Sequence, residues 1–277
     1  MNDLITVWRR STVAELGWTS PSGPSGIPVV PLVLHDTPCV ALPYAHADVA
    51  LRLHRRHVAF SVTDQDAGGR TAVVGAGPVE VVEDLEGHEF VEHLLEQEVV
   101  KHPPSRLRAD SLMARRENWW WVPRVLVRLD TIEEEYTLRP RTRAEDALLV
   151  REHAGRPVID VVTVDGRSDR STGSTGTTGT TDLWARDGGL LKGADEPAFV
   201  FSHQYSPDFE RWERWFRSGH LSGESLLVEE ADGAPTGKSP SGPLSPYGLW
   251  ERFTNHRSLA RTCRKEIAEA RSRVPLR

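Results

Sequence analysis

Two glycines are the first residues in this chain that could do chemistry. Gly75 and Gly77 lie in the run VVGAGP, which invites comparison with the Gly-x-Gly-x-x-Gly turn that brings backbone N–H groups to a pyrophosphate. That turn needs a third glycine where helix and strand press together. Glu80 stands there, and residues 79–84 (VEVVED) are β-branched and partly alternating, which favours a strand. Upstream, Val58, Phe60 and Val62 alternate with Ala59, Ser61 and Thr63, and residues 64–70 (DQDAGGR) carry turn chemistry. Residues 57–84 therefore read as a β-hairpin whose mid-strand glycines mark a bulge or a close backbone approach. Ser61 and Thr63 share one strand face, so both hydroxyls can meet one partner. His88 and His93 resemble the HExxH zinc helix but are five apart, which turns them roughly 140° from each other, so they read as a solvated polar face. The sequence has no Ser-His-Asp order, GxSxG elbow or GxxxxGK[ST] loop, so hydrolase and NTPase chemistry have no support.

The elements that must position these groups come from the rest of the 277 residues. Residues 18–26 (WTSPSGPSG) read as a loop, residues 29–35 and 39–43 as strands around a turn, and residues 47–56 as a short helix. Residues 86–101 predict one amphipathic helix with Phe90, Val91, Leu94, Leu95 and Val99 on its apolar side, ended by Pro103 and Pro104. Residues 119–130 (WWWVPRVLVRLD) predict a strand with Trp119 and Trp121 on one face. In the second half, residues 157–164 read as a strand, 171–181 as a low-complexity loop, and 183–191 as a hairpin. Arg211, Trp212, Arg214 and Trp215 read as an aromatic and cationic helix surface. AFVFSH (198–203) echoes AFSVT (59–63), and GHLSGESLLVEE (219–230) echoes GAGPVEVVED (75–84). The echo suggests a duplicated β-unit. Residues 247–271 predict a helix with a seam of Leu249, Phe253, His256, Ala260, Cys263 and Ile267.

Composition bounds the partners. The formal net charge of −6 argues against general nucleic-acid binding, and no apolar run is long enough to span a membrane. Cys39 and Cys263 form no CxxC motif, so free thiols and a cytoplasmic location are expected. The expected organisation is a segment 1–26, a barrel unit 27–150, a second β-unit 151–232 and a tail 233–277. The expected fold class is mainly β with flanking helices (α+β), and the echo would make its barrel a tandem one.

Four stretches carry a family resemblance: IPVVPLVLHDTPCVALP (27–43), HVAFSVTD (57–64), GAGPVEVVED (75–84) and RRENWWWVPRVLVRLD (115–130). In order and texture they resemble the FMN-binding split β-barrel family, which includes pyridoxamine 5'-phosphate oxidases, flavin reductases and deazaflavin-dependent reductases. The resemblance implies an oxidoreductase with an unnamed small-molecule substrate. It also implies a homodimer that binds flavin in clefts at the subunit interface. It places the flavin phosphate at Arg55 or Arg56, Ser61, Thr63, Arg70 and Thr71, where arginine suits a phosphate. Arg116 and Asn118 become phosphate or ring-edge contacts, Trp119 a surface for the flavin ring, and His203, in the echoed unit, a proton donor or haem ligand. The cofactor stays open between FMN, a deazaflavin, haem and none. The alternative to an enzyme is a haem- or flavin-binding barrel without activity, or a cofactor-free pseudoenzyme.

Overall fold

Alternation of side chains across two β-layers organises the chain. A computed structural model describes residues 3–64, 72–109, 116–164, 179–186, 191, 193–233 and 244–273, with only the backbone of 116–118. The first layer contains β1 (Ala14–Ser20), β2 (Gly23–Val29), β3 (Leu32–Leu34), β4 (Thr37–Pro43), β5 (His57–Val62), β6 (Ala72–Asp84), β7 (Arg124–Leu129) and β8 (Glu134–Leu138). Its order is β2-β1-β5-β6-β7-β4-β3, with β8 also paired to β6. The second layer contains β9 (Asp146–His153), β10 (Arg156–Val164), β11 (Gly179–Ala185), β12 (Gly193–Tyr205), β13 (Trp212–Gly223) and β14 (Ser225–Asp232), paired in a closed ring. Among the described residues five α-helices accompany them: α1 (Asp3–Arg10), α2 (Ala47–Arg52), α3 (Leu95–Lys101), α4 (Pro103–Ala109) and α5 (Leu249–Arg273).

Period two explains how the layers join. Along β9, Ala147 and Leu149 fill the ring, while Leu148 and Val150 point out toward the first sheet. Val162 and Val164 on β10 face inward and Ile159 and Val161 outward; Ala198 and Val200 on β12 face inward and Phe199 and Phe201 outward. Strands buried on both faces read as continuous apolar runs. The first sheet meets this outer surface with small residues. A Cβ on Gly17 would stand 2.9 Å from Ile159, and one on Gly26 would stand 2.5 Å from Phe201. Gly17 and Gly26 are paired across β1 and β2. Residues 18–26 are therefore not a loop: their Gly and Ser content makes the flat hairpin on which the ring packs. Behind the sheet, Leu4 and Trp8 of α1 are fully buried, and the Trp8 indole N–H donates to the Leu32 carbonyl at 2.7 Å.

The 57–84 hairpin forms as expected, with Val58 opposite Gly77 and Val62 opposite Val73. Both glycines mark close approaches: a Cβ on Gly75 would meet Leu4 at 2.5 Å, and one on Gly77 would lie 1.9 Å from the Thr131 carbonyl oxygen. Other expectations change. The three tryptophans lie in a 3-10 turn, Arg116–Trp121, and the strand starts after Pro123, which cannot donate to a ladder. Residues 211–215 open β13 instead of forming a helix, because they pair with β12 from Trp212 onward. The 86–101 helix is broken by a π-helical turn at Phe90–Leu94, and its buried face continues with Glu98 and Lys101. β11 pairs with β10 and β14, and the expected hairpin turn at 187–189 lies outside the described residues. Of the two echoes, residues 59–62 and 198–202 each lie on one strand, β5 and β12, whereas 75–84 lie on one strand and 219–230 straddle two. Helix α5 buries Ala260, Cys263, Ile267 and Ala270, but its start projects, with Leu249 88% exposed. Among the described residues no helix is long and apolar enough to cross a membrane.

Candidate functional site

Two polar constellations stand out, one closed and one open. The closed one lies at an end of the seam between the layers. Glu15 on β1 is fully buried and faces the ring. It accepts hydrogen bonds from Ser61 Oγ at 2.9 Å, Thr63 Oγ1 at 2.7 Å and Arg141 Nη2 at 3.0 Å. His203, from β12, brings Nε2 to 3.1 Å from Glu15 and 2.9 Å from Arg141. Arg141 also donates to Thr63 Oγ1 and Ser202 Oγ. Burial alone would raise the Glu15 pKa, but His203, Arg141 and Thr63 outweigh it and hold the carboxyl below its ordinary range. Burial and then Arg141 push His203 down, so it is neutral. Its Nδ1 is buried with no hydrogen-bond partner.

Strand alternation explains this cluster. Glu15 shares a face with Gly17, and Ser61 and Thr63 share one with Ala59, all toward the ring. Of the ten residues singled out in the sequence, Ser61, Thr63 and His203 come together here. Their polar atoms are turned to Glu15, a carboxylate, and not to an open space. Arg55 and Arg56 are exposed at the opposite end of β5, roughly 20 Å along the strand direction from Thr63. The Arg56 Nε donates to the Arg52 carbonyl at 2.8 Å. Trp119, 42% exposed, borders a separate cleft with Glu86, Val122 and Arg271. Arg70 and Thr71, and the side chains of Arg116 and Asn118, lie outside the described residues.

The open constellation is a cleft of about 650 Å³ between the β2 and β4 edges, α3, α4, α5 and the turn from β12 to β13. Its volume suits a small-molecule or cofactor site. Phe209, Trp212, Tyr247 and Phe253 give it aromatic surface, and Arg108, Arg124 and Arg252 bring positive charge. His46, His102 and His256 line it too. The indole N–H of Trp212 and Nε of Arg124 are buried without a hydrogen-bond partner. Arg124 donates to Glu98 at 3.1 Å, with both side chains almost wholly buried. Burial would raise the Glu98 pKa, but Arg124, His102 and Ser105 bring it below its ordinary value. Ser105 Oγ donates to Glu98, and His102 Nδ1 lies 3.0 Å from that same Oγ. Burial pushes His102 down to about 4, and also lowers His46 and His256. All three imidazoles are therefore neutral at neutral pH.

Sequence reasoning missed this cleft, because its histidines come from three separate elements. The available signal was His102-Pro103-Pro104. A residue before proline is driven to extended backbone, and His102 takes φ −128°, ψ 93°. The proline pair thus ends α3, starts α4 and leaves the imidazole at the junction.

No protein-family description and no curated protein matches the chain. Among solved structures, the chain is similar to "conserved hypothetical protein Rv2991" from Mycobacterium tuberculosis, at 17% identity and a TM-score of 0.36, over 52% of this chain and 91% of that one. It is similar to the "FAD and Heme binding protein" from Mycobacterium smegmatis at 12% identity and a TM-score of 0.35, over 62% and 87% of the two chains. For the "heme binding protein" from the same organism the figures are 11% and 0.32, over 96% and 99%. Identities and scores at this level assign the chain to no family.

Proposed function

We infer that this protein binds a flat conjugated cofactor, a flavin or a haem, in the cleft between its first sheet, its helices and the β12–β13 turn. The observation that carries the reading is the cleft's aromatic wall. Phe209, Trp212, Tyr247 and Phe253 offer stacking surface. A conjugated ring gains from such surface. Arg108 lines the cleft as a charge for a phosphate or carboxylate, whereas Arg252 is already paired with Asp208 and Glu210. A bound flavin would supply hydride chemistry and a haem electron or ligand exchange. The chain's own part is to hold the ring, exclude water from one face and neutralise the acidic groups.

The split-barrel resemblance extends this reading to an FMN-dependent oxidoreductase acting as a homodimer. The positions it suggests at Ser61 and Thr63 face Glu15, which would repel a phosphate. The aromatic cleft is therefore the better-supported place for a cofactor. The test is the absorption spectrum of the purified chain, before and after incubation with FMN, FAD, a deazaflavin and haemin. A retained flavin or Soret band supports the reading. A chain that takes up none of the four sinks it.

A further inference from the structure

The cleft holds one imidazole whose free nitrogen is fixed in advance. Glu98, paired with the Arg124 guanidinium, accepts a hydrogen bond from the Ser105 hydroxyl. That hydroxyl has only one proton, so toward His102 its oxygen must accept. His102 Nδ1, 3.0 Å away, is then the donor and carries the ring's proton. Nε2 is left with its lone pair, and no described residue donates to it. The Arg124 guanidinium binds the same Glu98 oxygen, Oε1, at 3.1 Å, and Phe209 meets the imidazole edge-on at a centroid distance of 6.1 Å. This carboxylate–hydroxyl–imidazole chain does what outer partners do around metal-binding histidines: it sets the tautomer and the ring's direction. His46 and His256 line the same cleft, and no side-chain hydrogen bond holds either of them in this way.

We propose that His102 Nε2 is a preset axial ligand for a metal that arrives with its own planar donors, the iron of a haem. One imidazole supplies one donor. Among the described residues no three metal-ligating side chains converge, so a bare ion would have few protein ligands. A metalloporphyrin brings four equatorial nitrogens and needs only an axial one. It also brings a flat apolar face for Phe209 and Trp212, and carboxylates for Arg108. This proposal rests on the cofactor cleft described above and chooses among its occupants.

Haemin and metal-free protoporphyrin IX, titrated into the full-length protein, separate the two ideas. The wild-type chain should give a red-shifted Soret band with haemin. His102→Ala should weaken haemin about tenfold to a hundredfold, and at least tenfold more than it weakens the metal-free ring. His102→Gly should recover the Soret shift when imidazole is added. Ser105→Ala keeps the histidine but frees its tautomer, so it should speed haemin loss. If haemin and protoporphyrin weaken equally in His102→Ala, or if the Soret shift follows His46→Ala or His256→Ala instead, the ligand assignment is overturned and the cleft stands. If wild type takes up FMN but neither porphyrin, the assignment again fails alone. If wild type takes up no flat cofactor, both fall.

Discussion

Removing the Glu15 carboxylate should loosen the seam between the two β-layers. Glu15 is fully buried, and Arg141 beside it has a side chain only 9% exposed. Glu15→Ala leaves that guanidinium in a closed site with no carboxylate, and it strands the Ser61 and Thr63 hydroxyls that donate to it. Breaking a buried pair by removing one partner costs about 3–5 kcal/mol. Glu15→Gln keeps the shape and an acceptor oxygen but loses the charge, and should cost about 2–3 kcal/mol, the range of a charge-assisted hydrogen bond. Glu15→Leu combined with Arg141→Met removes both charges, so it should cost less than its two single changes summed, by about 2 kcal/mol. Acid dependence follows the same logic. Glu15 titrates lower in the folded chain than its ordinary value of 4.5. Its contribution is therefore fully present above about 4.5 and is lost as pH falls through the folded value. The assay is equilibrium urea unfolding of the full chain at pH 7 and down the acid limb. Wild type should lose stability across that limb faster than Glu15→Gln. A Glu15→Ala loss below about 1 kcal/mol, or additive double-variant costs, would show that the cluster does not hold the layers together.

Three further outcomes are expected. Gly77→Ala puts a Cβ 1.9 Å from the Thr131 carbonyl oxygen, so it should cost about 3 kcal/mol or more; a chain with an unchanged urea midpoint would contradict that. Lys101 donates to the Trp8 and Pro31 carbonyls from a buried position, and burial lowers its pKa from 10.5 to about 8. The unfolded chain then binds more protons between those values, so stability should rise with pH across that window, by at most about 3 kcal/mol. Lys101→Met should flatten that rise, and an equal slope in both proteins would count against it. Trp119→Ala should leave cofactor spectra unchanged, because Trp119 borders a different cleft; a lost band would move the site.

The hairpin of β5 and β6 was legible because its alternation and its glycines are local signals that agree with the tertiary packing. The β1–β2 hairpin was not. Its residues look like loop because the opposing surface, Ile159 and Phe201, demands small residues, and that surface comes from the other end of the chain. The tryptophan run resembled a strand because periodicity cannot distinguish three consecutive aromatics in a 3-10 turn from a buried ladder. Within the sites, Ser61 and Thr63 were found as a pair, but the identity of their partner was not. Glu15 and Arg141 are 126 residues apart and show no pattern until β1, β5 and β12 are aligned. The His102 junction had a readable cause in Pro103 and Pro104, yet its meaning depended on Glu98 and Ser105 lying on the same side.

The place of the cofactor can be read from a crystal structure of the protein reconstituted with the cofactor that gives the strongest spectral change. Density for the ring is expected against Phe209 and Trp212. Density instead beside Trp119 or at the Glu15 seam would contradict that place.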